Sequence, residues 1–344
     1  MKHRELLKRR VMTTMNGMTY GLFATLIIGV IIQQIGNVLG LGLLSETIYG
    51  TLRNLMGAGI GLGIGLSLGL TGLRLVSVTA AGAIATSFRM SFSDGLIQAP
   101  NNEPLTVYLV VVLTIALMSV VLRKRTPIDI LLIPLVAVAT ATLLTLGLSA
   151  PVRAGVDAIA TFVREATLYQ PFVMSVIIAV VMGMLLTSPL SSAAIAITIN
   201  LSGVAGGAAV IGTTAQMIGF AIQSRKDNSA GVVLSVAFGT SMLQFKNIIK
   251  KPVIWLPTII TSAILAPVFV LGLGTETSSV GAGMGSSGLV GPLQTLEWMD
   301  YSTQAWLSVG LMIVMSAVIT DLVDMVFRKK GLIIDGDLAV SKDI

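Results

Sequence analysis

Three features of this sequence predict an all-α polytopic membrane protein, with about ten transmembrane helices of about 20 residues each plus re-entrant hairpins. Apolar residues make up 54% of the chain and charged residues 11%, against about 25% charged in soluble domains. The basic residues stand in short clusters beside apolar runs, the pattern expected of cytoplasmic loops. Finally, Ala166 to Ser224 carries no charged side chain, enough length for about three passes, yet is threaded with hydroxyls and amides. Among them are Thr187, Ser188, Ser191, Ser192, Thr198, Asn200, Ser202, Thr213, Thr214, Gln216 and Gln223. Polar groups at membrane depth are costly unless they meet a partner, a cavity or a ligand. The interior is therefore expected to handle a polar, uncharged solute.

The spans follow in order. Lys2, Arg4, Lys8, Arg9 and Arg10 hold residues 1–16 in the cytoplasm. Gly17 to Gly36 is a first span and Gly40 to Asn54 an amphipathic external connector. Leu55 to Leu73 returns to Arg74, and Leu75 to Met90 is a weaker segment rich in small residues. Ser91 to Pro104 reads as an external loop. Leu105 to Leu122 is a strong span that stops at Arg123, Lys124 and Arg125. Asp129 to Leu148 leads out again, and Pro151 to Tyr169 is amphipathic, suited to the outer surface. Phe172 to Thr187 comes in. Pro189 to Ile222 holds two short crossings or a hairpin, broken near Gly203 to Gly207. Gly231 to Phe245 is too short and too polar to cross, with basic flanks, and reads as re-entrant. Pro252 opens a span to Gly272, Gly274 to Tyr301 is an external or re-entrant Gly/Ser-rich segment, and Gln304 to Phe327 is the last span, closed by Arg328, Lys329 and Lys330.

This gives a first bundle over 17–148, an external connector over 149–171, a second bundle with the solute site over 172–327 and a cytoplasmic tail over 328–344, with both termini inside. Of the 22 Lys and Arg residues, all but Arg53, Arg89, Arg153 and Arg164 fall on the cytoplasmic side. No cleavable signal peptide is evident, since Val11 to Gly36 lacks a small-residue cleavage site. The small-residue runs Ser77 to Ser87 and Pro189 to Ile199 each follow a Gly-containing span. Five spans per half would make a 5+5 inverted repeat, a common transporter plan.

Composition excludes several chemistries. There is no Cys, so disulfides, thiolate metal sites and a phosphocysteine are absent, and the single histidine, His3, leaves no histidine relay or metal cluster. No metal or cofactor is expected. The formal net charge of +6 reflects membrane orientation, and no nucleic-acid partner is inferred. No paired carboxylates, nucleophile–base pair or nucleotide motif is visible, so the chain is not read as an enzyme.

Four motifs could carry recognition. The glycines of Gly59 to Leu70, with Gly57, Gly61, Gly65 and Gly69 spaced by four, suit tight helix packing. In Leu185 to Asn200, Pro189 breaks the helix beside Ser188, Ser191 and Ser192, and broken helices near the midplane bind solutes in transporters. Thr213 to Gln223 and Gly239 to Asn247 carry Thr213, Gln216, Gln244 and Asn247, and amides both donate to and accept from solute hydroxyls. Gly281 to Pro292 is a glycine-rich loop whose backbone N–H groups can face a ligand. Interhelical hydrogen bonding would account for the same hydroxyls and amides. The acids Glu276, Glu297 and Asp300 flank that loop, and Asp321 and Asp324 near the end of the last span can pair with Arg328 and Lys329.

At Tyr169 to Ile197, Ala215 to Ser224, Gly239 to Thr258 and Gly281 to Gly291, the chain resembles enzyme IIC, the membrane-spanning component of the bacterial sugar phosphotransferase system. It is most similar to a stand-alone IIC-like branch, some members of which are labelled as regulators. The resemblance implies a homodimeric permease of the inner membrane, with re-entrant hairpins and cytoplasmic IIA and IIB partners that phosphorylate the sugar. The sugar-binding histidine of better-known branches has no counterpart here, and Glu276 is the nearest candidate for their glutamate.

The reading that results is a permease of the enzyme IIC type. It carries a small polar solute, a sugar or sugar derivative, across the bilayer by alternating access. The expected ligands are Thr187, Ser188, Ser191, Ser192, Asn200, Thr213, Gln216, Gln244, Asn247, Glu276, Gly283, Gly285, Ser286 and Ser287. Two alternatives remain open. One is a secondary transporter independent of phosphocarriers and driven by an ion gradient through an acid such as Glu276. The other is a sensor that binds the solute without moving it.

Overall fold

The computed structural model describes residues 2–89, 103–123 and 126–340, with side chains from Arg10 onward. Most of the loop expected from Ser91 to Pro104, and Lys124 and Arg125 of the basic stop, lie outside these residues. Everything described is helix or short connection apart from isolated bridge residues, among them the antiparallel pair Gly203 and Thr277. Among the described residues, 6 helices are long and apolar enough to cross a membrane, and Met56–Ser67, Gly72–Ser87, Pro171–Thr187 and Ala230–Gly239 are shorter apolar helices. The chain is a polytopic membrane protein. It divides into two compact units, residues up to Gly155 and residues from Val156.

In the first unit, α1 (Lys2–Leu22) continues through a π-helical turn, Phe23–Ile27, into α2 (Ile28–Leu39). Gly40, at φ 66°, stops it. A second π turn, Leu43–Ile48, leads to α3 (Tyr49–Asn54), α4 (Met56–Ser67), α5 (Gly72–Ser87) and α6 (Pro104–Val121). The expected second span is shorter than its apolar run. With 12 residues, α4 reaches about 18 Å, short of a hydrocarbon core of about 30 Å. Gly69 and Gly72 have positive φ and turn the chain into α5 before Leu73. The glycines of α4 serve two neighbours. A Cβ on Gly63 would lie 2.1 Å from the Gly17 carbonyl oxygen of α1, and one on Gly57 would lie 2.2 Å from the Gly82 oxygen of α5. Lipid tails are as apolar as leucine, so such close packing, rather than escape from water, holds membrane helices together.

The boundary between the units falls inside α7 (Asp129–Ala166), a single helix of 38 residues that contains Pro134 and Pro151. The sequence suggested a span ending at Leu148 and a separate surface helix from Pro151. Instead the helix continues through Pro151, as membrane helices tolerate when local adjustment re-satisfies the freed carbonyl.

The second unit is built around α10 (Gly203–Gln223), with α8 (Pro171–Thr187) and α9 (Ser192–Thr198) before it. After it come α11 (Ala230–Leu234), a π turn (Ser235–Gly239), a 3₁₀ turn (Ser241–Gln244), α12 (Phe245–Lys250) and α13 (Leu256–Pro267), entered through a 3₁₀ turn, Pro252–Trp255. The unit closes with α14 (Ser279–Met284), α15 (Val290–Trp298) and α16 (Thr303–Lys329). Every residue of α10 from Gly206 to Ala221 is buried. Two glycines allow this. A Cβ on Gly207 would sit 1.8 Å from the Thr275 carbonyl oxygen, and one on Gly212 would sit 2.0 Å from that of Ala179. By contrast, Trp306, Val314, Val318 and Leu322 on α16 are exposed and suited to lipid contact.

Candidate functional site

The centre of the second unit is a buried polar cluster around Gln216. Thr187, the last residue of α8, contributes a hydroxyl because the helix stops there. Ser188 turns to an extended conformation ahead of Pro189, as residues preceding proline favour. Thr187 Oγ1 shares a hydrogen bond of 2.9 Å with Ser241 Oγ and lies 3.3 Å from Gln216 Oε1. The same amide oxygen accepts from Trp255 Nε1 and from Thr258 Oγ1, both at 2.9 Å. An indole N–H can only donate, so Trp255 fixes which end of the amide is oxygen. The other end, Gln216 Nε2, is buried with no hydrogen-bond partner among the described residues. A buried, unpaired donor costs about 1–3 kcal/mol. Trp255 also lines a cavity of about 500 Å³, formed with Ile159, Phe162, Val181, Met184, Leu185, Ser188 and Leu190. One edge of the indole thus touches the amide while the ring borders open apolar space.

A second group of predicted residues joins two short elements. Ser191 caps α9 by accepting from Ala194 N at 3.2 Å. Ser192 Oγ donates to the Gly283 carbonyl at 2.7 Å, and a Cβ on Gly283 would strike Ala193 Cα at 2.4 Å. Below this contact, Gly203 N donates to the Thr277 carbonyl at 2.9 Å. Gly285, at φ 52°, turns the loop against the backbone of Thr213. Ser286 and Ser287 then donate to the carbonyls of Ala237 and Gly239, at 2.5 and 2.8 Å. The glycine-rich loop is thereby tied to the segment that delivers Ser241. Glu276 is half-buried beside Gly203, and its Oε2 accepts from Trp298 Nε1 at 3.1 Å.

Other predicted ligands are engaged elsewhere. Asn200 is exposed and adopts φ 50°, so it terminates α9, with Leu201 N returning to the Ala196 carbonyl. Amide side chains tolerate this left-handed position, which accounts for an asparagine there without a ligand. Ser188 Oγ bonds within its own turn, to the Leu185 carbonyl and from Leu190 N. Thr213 Oγ1 returns to the carbonyls of Ala209 and Val210 in α10. Gln244 and Asn247 hold the C-terminal segment: Gln244 Nε2 donates to the Leu338 carbonyl at 2.9 Å and Asn247 Nδ2 to that of Ala339 at 3.1 Å.

That segment is bound through several further contacts. Asp227 accepts from Gly336 N and Leu338 N, and Asn228 accepts from Val340 N and donates to the Leu338 carbonyl. Lys251 Nζ pairs with Asp337 Oδ2 at 2.5 Å. Burial pushes the Asp337 carboxyl up, but the Ile334 N–H and the ammonium groups of Lys251 and Lys250 prevail and hold it below its ordinary value. The expected pairing of Asp324 with Arg328 is present at 2.6 Å, whereas Asp321 pairs with Arg225 at 2.7 Å.

Sequence reasoning missed Ser241, Trp255 and Thr258. Trp255 and Thr258 are three apart at the entry to α13 and share a face, a spacing that marks a common target. Ser241 lies in the Gly239 to Asn247 run, where the larger amides Gln244 and Asn247 are the more prominent polar groups.

A family profile described as "Phosphotransferase system, EIIC" matches residues 12–340. No curated protein and no solved structure matches the chain. With nearly all of its length matched, the chain belongs to the phosphotransferase system EIIC family, the membrane-spanning permease components of that system.

Proposed function

We propose that this chain moves a sugar or sugar derivative across the bacterial inner membrane by alternating access, with both termini in the cytoplasm, and that the solute binds at the Gln216 cluster. The observation that carries this reading is the unpaired Nε2 of Gln216, set among Thr187, Ser241, Trp255 and Thr258. A solute hydroxyl supplies the acceptor that this amide lacks, while neighbouring threonine and serine hydroxyls can donate or accept in turn. Uncharged donors and acceptors suit a neutral polyol. The short elements joined by the Ser192–Gly283 contact and by the Ser286 and Ser287 bonds are the parts proposed to rearrange when access alternates.

Separate IIA and IIB proteins are the proposed phosphate donors, and the sugar is phosphorylated as it leaves the site. A homodimer is the proposed assembly. The test is sugar uptake by proteoliposomes. Accumulation of sugar phosphate that depends on added IIA, IIB and a phosphate source supports the reading. Uptake of free sugar that persists without them, and that an uncoupler abolishes, replaces it with the ion-coupled mechanism. Binding without any flux leaves a sensor.

A further inference from the structure

The C-terminal segment from Gly331 to Val340 makes no regular secondary structure, yet it is bound by side chains from both ends of the segment that carries Ser241. At one end are Asp227 and Asn228, which take the backbone of Gly336, Leu338 and Val340. At the other are Gln244 and Asn247, which take the carbonyls of Leu338 and Ala339, and Lys251, which pairs with Asp337. Ile333 and Leu338 are fully buried and anchor it. Between those two ends the chain runs through Ala237 and Gly239, bound by Ser286 and Ser287, to Ser241 at the solute cluster.

We infer that residues 331–340 form an intramolecular latch that clamps the segment 227–251 and holds Ser241 against Thr187, closing the Gln216 cluster until the latch is released. The regulation rests on the proposed solute site, because what it controls is access to that site. Three features favour a latch over a permanent brace. Beyond Gly331 and Leu332, whose N–H groups close the end of α16, the backbone of the segment is held mainly by side chains, so it can leave without unravelling an element. Its acids meet a basic surface of Lys250, Lys251 and Arg328, where an acidic or phosphorylated partner would compete. And Gln244 and Asn247, amides suited to other ligands, are occupied by its carbonyls.

The test uses the absence of cysteine from the chain. Ser241→Cys, purified in detergent, is labelled with a water-soluble maleimide. With the latch closed, labelling is slow, since Ser241 is fully buried. Adding Asp227→Ala and Asn228→Ala raises the rate about tenfold or more, as for a local opening made easier. Asp337→Lys, which faces Lys250 and Lys251 with a third ammonium, raises it too, and Lys251→Asp added to it slows labelling again. Ser308→Cys, buried against Thr275 away from the latch, keeps its slow rate throughout. Equal rates for Ser241→Cys with and without the latch substitutions overturn the inference. So does equal acceleration at Ser308→Cys, which signals general loosening. No solute is used, so failure of sugar binding and failure of the latch are read separately.

Discussion

The two units use their polar side chains differently. In the first, hydroxyls such as Thr19, Thr25, Ser67, Ser77 and Thr79 turn back onto the carbonyl four residues earlier in their own helix. Thr14 does reach across to Tyr108, at 2.9 Å, but helix contact there is set chiefly by glycines pressed against neighbouring backbone. In the second unit, some hydroxyls such as Thr213 also turn back, but several polar groups bridge elements: Thr187 to Ser241, Gln216 to Trp255 and Thr258, Ser192 to Gly283, Thr275 to Ser308, and Thr320 to Thr261. A hydroxyl satisfied within its own helix asks nothing of its surroundings. One that depends on another element loses its partner when that element moves, which suits a site that must open and close.

The comparison can be broken most sharply at a glycine. Gly207→Ala puts a methyl into the Thr275 carbonyl, and overpacking of this kind costs about 1–3 kcal/mol or more. The expected result is loss of monodisperse protein on size exclusion. Gly147→Ala meets nothing within 4 Å and leaves the protein intact. Next in size is Gln216→Ala, which strips Trp255 Nε1 of its acceptor and leaves Thr258 Oγ1 the Trp255 carbonyl alone, at a cost of about 1–3 kcal/mol in thermal unfolding, and removes solute binding. Smaller again is a matched pair of hydroxyl deletions. Thr14→Val and Thr258→Val should each cost about 1 kcal/mol of stability, but only Thr258→Val should weaken solute binding. Equal binding losses in the two would erase the distinction between the units.

The smallest effect concerns pH. Because the folded Asp337 carboxyl is held below the usual value of about 3.9, its pairing contributes fully above that value and is lost as pH falls through the lowered one. Protease sensitivity of the C-terminal segment should therefore rise as pH falls below the ordinary carboxyl value toward the lowered one. In Asp337→Asn, which lacks that carboxyl, the rise should be smaller, the remainder coming from the Asp227 and Asp335 carboxylates that also hold the segment.

Much of the fold was legible because apolar runs, basic stops and turn residues are local signals. The span from Pro252 to Gly272 and the last helix fall where the residues placed them. The shortness of α4 was not legible, because Leu68 to Leu73 is as apolar as the helix before it and only Gly69 and Gly72 hint at a turn. Pro151 misled in the opposite direction, suggesting a break where α7 continues. Among candidate site residues, Thr187 and Gln216 meet, while Asn200, Gln244 and Asn247 do not join them. A sequence displays an amide but not its partner. Asn200 is explained by one left-handed backbone angle, and Gln244 by a carbonyl 94 residues away. Ser241 and Trp255 were missed for the same reason, since their meaning arises only where separate segments converge on Gln216.

The most direct test of the central claim is ligand-induced stabilisation of purified protein, screened against hexoses, pentoses, polyols and sugar acids, with each hit repeated on Gln216→Ala and Thr14→Val. A solute at about 100 times its dissociation constant adds about 2.7 kcal/mol of apparent stability. A neutral sugar that raises the unfolding temperature of the wild type and of Thr14→Val but not of Gln216→Ala is the predicted result. A sugar that stabilises Gln216→Ala as much as the wild type would place the site elsewhere and contradict the account.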